Sequence, residues 1–394
     1  MVKNSMSPRE QFLSALNLEQ SHCSPCTFMQ YKGLLTNSDN YLDFLSRQLD
    51  LGLMPYAMIP PRPPVVVNDH YNLHGMPVNF DPSVSIKEWS EERKGEINPV
   101  LVKEYTTPAG KLRAEIRKTE DWRWGDHVPI FDDYITPRTI KYLVDRPEDI
   151  EAFRYLLAVP SEQEIAAIRA ESGPVVQFAR QHNLPLLGGW GVGADMLGWV
   201  FGFENMVYST FEQPDFLKTI LQLIFDWNQA RMKVLLEIGI DIYIKRAWYE
   251  TCNFWSPKTF RTFLLPILQQ EAALAHHYGT RYGYFATDKV TPLFPLLAES
   301  GIDVLIGVDP HTFDLAATKA ALGDKMCLWG GVNGHLTVEI GSEEATRAEV
   351  RSAMQTLSPG GGFILSPVDN VREYTETSMA NVKALIDEWR NYCG

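Results

Sequence analysis

The sequence has no apolar run long enough to cross a membrane. A spanning helix needs about 18 or more consecutive apolar residues, and no stretch of the chain reaches that length. The opening residues, MVKNSMSPREQFLSAL, also lack the charged-then-apolar order of a secretory signal peptide. We therefore expect a cytoplasmic protein without a membrane partner.

Cysteine is scarce, with five residues in the chain of 394. Cys23 and Cys26 form a single C-x-x-C pair, whereas a zinc ribbon needs a second such pair. The whole set is odd in number and scattered, which does not resemble a disulfide framework. The sequence predicts structural thiols in preference to a metal or redox site.

Basic residues are outnumbered by acidic ones. There are 36 Lys and Arg residues against 49 Asp and Glu residues, which gives a formal net charge of −13. Nucleic-acid binding depends on clustered Lys and Arg, so this balance argues against such a partner. The 45% hydrophobic content is ordinary for a globular chain with a large core. A soluble metabolic role fits these numbers better.

From about residue 185, short β-rich runs alternate with amphipathic segments, which is typical of βα units around a parallel sheet, and two earlier runs can supply two more strands. Eight runs are present, the number that closes a (β/α)8 barrel. We predict an α/β protein in which residues 1–394 form a single (β/α)8 TIM barrel. The runs are PCTFMQY, LGLMPYAMI, LPLLGGW, IDIYIKRAW, TRYGYFAT, IDVLIGV, KMCLWGGV and GFILSP.

The segment from about residue 65 to 160 differs from the rest of the chain in composition and residue pattern. It opens with a proline-rich stretch and contains YTTPAGKLRAEIRK, in which a Pro-Ala-Gly turn joins two alternating runs as in a β-hairpin. We predict that residues 65–160 are an insertion after the second strand, folded over one mouth of the barrel.

Three glycines, Gly360 to Gly362, precede the last predicted strand. Phosphate-binding glycine loops instead follow a strand and open a helix. The residues before these glycines, SEEATRAEVRSAMQTL, form an amphipathic pattern, so the glycines are expected to end a helix and turn the chain. The candidate functional residue is therefore at the other end of the strand, where Asp369 follows it.

Polar and aromatic residues follow the predicted strands, and in a parallel barrel the carboxyl ends of the strands carry the active site. Three carboxylates from different strands can converge there and bind a divalent metal or tune one another's pKa. We predict the metal ligands Glu250, Asp288 and Asp369. The predicted catalytic residues are Asp288, Asp369, Tyr249 and His335, and the predicted substrate-binding residues are Trp190, Trp248, Asn333 and Lys289.

Structural roles are the alternatives at several of these positions. Asp369 next to Asn370 can cap a turn or the following helix, and Asp288 next to Lys289 can be an ordinary surface pair. These alternatives stay open at the level of sequence.

The second half of the chain resembles the uroporphyrinogen decarboxylase superfamily. The similar stretches cover about residues 185–390 and include WSPKTFRTFLLPILQQ, LLAESGIDVLIGVDP, LWGGVNGHLTVEIGSEEATRAEV and GGGFILSPVDNV. The resemblance implies a single (β/α)8 barrel. It also implies either a tetrapyrrole decarboxylase or a corrinoid- or thiol-linked methyltransferase, because the superfamily contains both.

Two departures from the family pattern narrow this choice. The decarboxylases carry arginines after the first strand, whereas this chain reads TFMQYKGLLTN, and Lys32 is a poor substitute for bidentate arginine. Thiol-methylating members bind zinc through His-x-Cys and a later Cys. The resemblance places Phe285, Thr287 and Asp369 at those positions, so the sulfur site is absent and oxygen ligands stand nearby.

The resemblance thus implies the methyltransferase-like branch. Oxygen ligands would leave a bound zinc ion a stronger Lewis acid than sulfur ligands do. We expect demethylation of a small methylated substrate, such as a methoxy-aromatic compound, with transfer of the methyl group to a corrinoid on a separate partner protein. A metal-free decarboxylase with Asp as general acid and a non-catalytic binding barrel are the alternatives. A homodimer is left open.

Overall fold

A computed structural model describes residues 6–21, 23–61, 69, 73 and 78–393. Seven parallel strands form one curled sheet in the order β1-β6-β7-β8-β9-β10-β11, and β2 to β5 form a second, antiparallel sheet. The strands are β1 (Ala57–Ile59), β2 (Ser85–Glu91), β3 (Val100–Thr107), β4 (Gly110–Arg117), β5 (Thr139–Lys141), β6 (Leu186–Gly191), β7 (Ile242–Arg246), β8 (Arg281–Phe285), β9 (Val304–Val308), β10 (Cys327–Asn333) and β11 (Phe363–Val368).

The strands of the parallel sheet are almost wholly buried, as expected for a sheet covered by helices on its outer face. Seven of the eight predicted runs contain an assigned strand. The remaining run, PCTFMQY, has two isolated parallel bridges, from Cys26 to Leu365 and from Gln30 to Asn370. Its other edge accepts a hydrogen bond from the Met54 amide, which donates to the Cys26 carbonyl at 2.9 Å. Residues 25–30 therefore lie between β11 and the chain that leads into β1.

The predicted hairpin is present as β3 and β4, which pair from Val100 with Arg117 to Thr107 with Gly110. The antiparallel sheet that contains it lies between β1 and β6 along the chain, within the segment predicted as an insertion. The proline-rich stretch of that segment falls largely outside the described residues. The boundaries 65–160 stay a prediction.

Helices connect most of the parallel strands and cover the sheet. They are α1 (Pro8–Leu16), α2 (Lys32–Thr36), α3 (Tyr41–Asp50), α4 (Asp149–Phe153), α5 (Glu162–His182), α6 (Ala194–Val200), α7 (Phe203–Glu212), α8 (Pro214–Leu236), α9 (Pro257–Phe263), α10 (Leu265–His277), α11 (Phe294–Ala298), α12 (Leu315–Leu322), α13 (Glu343–Leu357) and α14 (Glu376–Cys393). None of the described helices is both long and apolar enough to cross a membrane.

The glycines before β11 behave as predicted. Helix α13 ends at Leu357, and Gly360, Gly361 and Gly362 all have positive φ, between 69° and 80°. A residue with a Cβ is strained in that region, so glycine is suited to this turn. The run PGGG therefore connects a helix to a strand.

The cysteines differ from expectation at one pair. Cys23 is bonded to Cys393 in a disulfide, while Cys26, Cys252 and Cys327 are free. The prediction of a free thiol at Cys23 was wrong. The two cysteines are 370 residues apart in sequence, so spacing gives no indication that the fold brings the two ends of the chain together.

Candidate active site

A buried ion cluster lies where the chain leaves β6 and β7. The Arg246 guanidinium, at the end of β7, donates from Nη1 to Asp195 Oδ2 at 2.6 Å and from Nη2 to Asp133 Oδ2 at 2.8 Å. Asp195 and Arg246 are fully buried, whereas the Asp133 side chain is 29% exposed. We call Asp133, Asp195 and Arg246 the arginine cluster, and Asp133 is its member that solvent can reach.

Local backbone geometry fixes the two carboxylates. Asp195 lies in the first turn of α6, just after β6, and accepts the amide hydrogens of Trp248 and Tyr249 at 3.3 and 2.8 Å. Asp133 comes from the chain between β4 and β5, and its Oδ1 accepts from Trp199 Nε1 at 3.0 Å and from the Tyr249 hydroxyl at 2.9 Å. Several donors to one carboxylate hold its orientation, as pre-organised sites require.

A second buried group lies beside the first. Lys245 Nζ is 2.9 Å from Glu271 Oε2 and 3.5 Å from Glu250 Oε1. The Tyr284 hydroxyl donates to Glu250 at 3.0 Å, and the Tyr282 hydroxyl donates to Glu271 at 2.5 Å. We call Lys245, Glu250 and Glu271 the lysine cluster. A side chain at position 193 would collide with the Glu250 carboxylate, so Gly193 permits this approach.

The two clusters together contain more carboxylates than cationic side chains. Four carboxylates share two cations, and burial penalises each unmatched charge. Burial raises the pKa of Asp195 to about 7, against the opposite effect of Arg246. Burial likewise raises the pKa of Glu250, against the effect of Lys245. The site thus has an excess of carboxylates, and burial favours the protonated forms of Asp195 and Glu250.

Aromatic rings border the arginine cluster. Trp190, Trp248 and Phe285 meet edge to face, with ring centroids 5.8 to 6.2 Å apart. The Arg246 guanidinium carbon lies 4.0 Å from the centroid of the Trp248 ring, within the range of a cation–π contact. We call Trp190, Trp248 and Phe285 the aromatic wall. It supplies the apolar surface that small-molecule sites use to bind ligand bodies.

The structure brings together four of the residues predicted from sequence. Tyr249 bonds Asp133, Glu250 belongs to the lysine cluster, and Trp190 and Trp248 form the aromatic wall. Trp190 is the last residue but one of β6, and the other three follow β7, so all four are at the carboxyl end where the barrel argument placed them.

The other predicted residues make different contacts. Asp369 has positive φ and pairs with Arg372 at 3.0 Å, with its side chain 54% exposed. His335 pairs with Glu339 at 2.9 Å. Asn333 donates to Asp309 at 2.7 Å and caps the π-helical segment that follows it. Asp288 is half-buried and Lys289 is exposed. These contacts connect them to turns and helix ends, and the roles predicted for them stay predictions.

The predicted metal ligands do not fit a zinc ion as they stand. Glu250 is already shared by Lys245 and Tyr284, and Asp369 is paired with Arg372. Within the described ranges, no three His, Cys, Asp or Glu side chains are grouped so that they could hold a metal ion. We therefore assign no step to a metal.

Sequence reasoning missed Asp133, Asp195 and Arg246, although a signal was available. Lys245 and Arg246 interrupt the apolar run IDIYIKRAW of a strand predicted to be buried. Buried cations need carboxylate partners, so this strand predicts acidic residues at its end. The partners cannot be chosen from sequence alone, because Asp133 and Asp195 lie 113 and 51 positions away.

The family is shown by comparison with family models. Residues 128–392 match the uroporphyrinogen decarboxylase (URO-D) family. The fold therefore defines an α/β protein of the URO-D type, and this chain belongs to that family. The matched range includes Asp133 and both clusters. No protein of curated function matches the chain.

A methyltransferase of solved structure shares the fold. A methyltransferase from Methanosarcina mazei aligns over 99% of this chain and 100% of that one, with a TM-score of 0.61 and 17% identity. A B12-independent methionine synthase from a Shewanella species covers 57% of this chain and 67% of that one, with a TM-score of 0.42 and 11% identity. At such identities the likeness concerns the fold alone.

Proposed function

We propose that this protein is a methyltransferase that demethylates a small methylated substrate, with a methoxy-aromatic compound as the expected type. The observation that carries the proposal is the Tyr249 hydroxyl, 2.9 Å from Asp133, on a ring that faces the same Arg246 guanidinium as Trp248 of the aromatic wall. A phenol hydroxyl in that position can protonate an oxygen that loses its methyl group.

Electrostatics keep Tyr249 in its protonated form. Burial and the neighbouring negative charge of Asp133 raise the pKa of Tyr249. Arg246 and Trp199 hold Asp133 in place, and the exposed part of Asp133 connects this pair to solvent. Tyr249 therefore carries its proton at neutral pH, and Asp133 can return a proton to it from solvent after a transfer to the substrate oxygen.

The bond between the methyl carbon and the substrate oxygen breaks, and its electron pair stays on the oxygen, which takes the Tyr249 proton. A corrinoid on a separate partner protein would supply the nucleophile that accepts the methyl group. The aromatic wall would hold the ring of the substrate so that its oxygen faces Tyr249.

The charge of the site argues against a substrate rich in carboxylates. Each of its two buried cations is already shared by two carboxylates, and the clusters have an excess of acid. An anionic substrate would meet repulsion here and would find neither cation available for a bidentate clamp. The second candidate is a metal-free decarboxylase that acts on a substrate with few carboxylates, and it is favoured by the Tyr249 and Asp133 pair, which can transfer a proton without a metal.

We propose that residues 25–30 act as the eighth strand and close the sheet into a barrel. Their hydrogen bonds to Leu365 on one side and to Met54 on the other support this. The segment predicted as an insertion would then contribute to the mouth through Asp133.

A methyl-transfer assay tests the proposed role of Tyr249. With methoxybenzenes as donors and a reduced corrinoid as acceptor, Tyr249→Phe should lower the turnover rate about 100-fold or more, since general acids contribute at least that much. Tyr208→Phe, which changes a tyrosine that is 62% exposed, should leave the rate unchanged. Equal rates in Tyr249→Phe and wild type would refute the assignment.

The same preparation separates the two candidate functions. Release of carbon dioxide from carboxylated substrates without any corrinoid would favour the decarboxylase. Demethylation that requires the corrinoid, with no carbon dioxide released, would favour the methyltransferase.

A further inference from the structure

The Trp248 indole has a buried N–H group without an acceptor. Its Nε1 atom is inaccessible to solvent and makes no hydrogen bond. Five other tryptophans do find acceptors: Trp89 donates to Glu91, Trp199 to Asp133, Trp227 to the Ala158 carbonyl, Trp255 to the Tyr249 carbonyl and Trp389 to the Ser24 carbonyl. Buried donors are nearly always satisfied in native proteins, so an unsatisfied one calls for an explanation.

Position separates Trp248 from two other unsatisfied indoles, those of Trp122 and Trp329. Trp122 is buried in the chain between β4 and β5. Trp329 is packed by Phe12 and Tyr56, with ring centroids 5.7 and 5.6 Å away, inside the core. Trp248 is only half-buried and follows β7 at the carboxyl end of the sheet. Its neighbours are the other rings of the aromatic wall and the guanidinium of Arg246. A ligand at the mouth can supply the missing acceptor once it displaces the side chains that cover Nε1.

The surroundings also define what the ligand would look like. Trp190 and Phe285 are buried and meet Trp248 edge to face, so the exposed part of the Trp248 ring is the apolar surface that a ligand ring can contact. The excess of carboxylates in the neighbouring clusters disfavours an anionic acceptor. A neutral oxygen on an aromatic ring satisfies both conditions.

We propose that Trp248 is a specificity-determining residue, whose indole N–H donates a hydrogen bond to a neutral ether oxygen of an aromatic substrate. This inference rests on the proposed function, because it names the substrate class of the same site. A site built around a hydrogen bond rejects an analogue that lacks the acceptor, since its own buried donor is then left unpaired.

Equilibrium dialysis with a matched pair of probes tests this inference. Methoxybenzene and ethylbenzene have nearly the same shape and differ by an oxygen in place of a methylene group. Wild type should bind methoxybenzene about tenfold more tightly, the lower range for a hydrogen bond to a buried donor. Trp248→Phe keeps an aromatic ring but removes the donor, so the two affinities should become equal.

Phe285→Leu is the matched control, because it removes part of the aromatic wall and keeps the donor. It should weaken binding of both probes by the same factor and preserve the tenfold ratio. Circular dichroism would show that each variant is folded. A wild-type ratio near one, or an unchanged ratio in Trp248→Phe, would overturn the inference.

The binding assay contains no methyl acceptor, so its outcome is independent of turnover. Discrimination without demethylation would support the role of Trp248 and count against the proposed function. Demethylation together with equal affinities for the two probes would support the proposed function and count against the role of Trp248.

Discussion

At the scale of single residues, Asp132 and Asp133 are neighbours in sequence with opposite surroundings. Asp133 accepts hydrogen bonds from three side chains and is partly exposed. Asp132 is fully buried, its Oδ2 has no hydrogen-bond donor, and Arg123 is 3.8 Å away. Burial raises the pKa of Asp132 from 3.8 to about 6.

This shift predicts a loss of stability as pH rises. The folded state binds the Asp132 proton more tightly than the unfolded state does. The resulting stabilisation is complete below about pH 4 and is lost as the pH rises through about 6. Asp132→Asn should reduce that fall by about 2 to 3 kcal/mol in the free energy of unfolding, measured by denaturant titration at several pH values. Asp126→Asn, at an exposed side chain, is the control. Parallel pH profiles for wild type and Asp132→Asn would contradict this account.

Part of the candidate site could be predicted at this scale. Tyr249, Glu250, Trp190 and Trp248 follow strands recognised by their apolar runs, and the barrel argument places such residues at one mouth. Asp133 could not be found this way, because it lies outside the predicted strands. Its role depends on a contact with Arg246 across 113 positions of sequence.

At the scale of elements, helix α5 begins with a capping box. The Ser161 side chain accepts from the Glu164 amide, and the Glu164 carboxylate accepts from the Ser161 amide. Both groups would otherwise leave backbone donors of the first turn unpaired. The cap therefore fixes where this 21-residue helix starts.

Removing the cap should destabilise the protein measurably. Ser161→Ala is expected to cost about 1 kcal/mol in the free energy of unfolding, and Ser161→Gly only a few tenths, as is usual for N-caps. Urea titration of the three proteins measures both effects. An alanine variant as stable as wild type would show that the cap contributes nothing here.

Element prediction succeeded where a pattern was local. The six runs after residue 185 each contain an assigned strand, and α13 follows its amphipathic pattern. The run after Ser256 forms two helices, α9 and α10, which meet at Leu264. Pro266 lies near the start of α10 and cannot donate the backbone hydrogen bond that a continuous helix needs.

At the scale of the whole molecule, Arg246 connects three distant parts of the chain. It lies on β7 and binds Asp195 at the start of α6 and Asp133 between β4 and β5. Removal of one partner from a buried ion pair leaves uncompensated charge, which is more costly than loss of the pair as a whole.

Arg246→Met should therefore lower the free energy of unfolding by about 3 to 5 kcal/mol, because Asp195 and Asp133 lose their cation. The exposed pair of Arg169 and Glu237 provides the control, since Arg169→Met should cost less than about 1 kcal/mol. Chemical denaturation measures both. Similar small losses in the two variants would mean that the cluster does not hold these segments together.

The sequence by itself determined the family, the alternation of strands and helices, and the mouth at which aromatic and acidic residues gather. These features depend on residue patterns that are local or that repeat along the chain. Only the tertiary structure decided which carboxylates pair with Lys245 and Arg246, that Trp248 keeps an unsatisfied donor, and that Asp369 pairs with Arg372. Burial and long-range contact set those pairings, and neither is encoded in the spacing of residues.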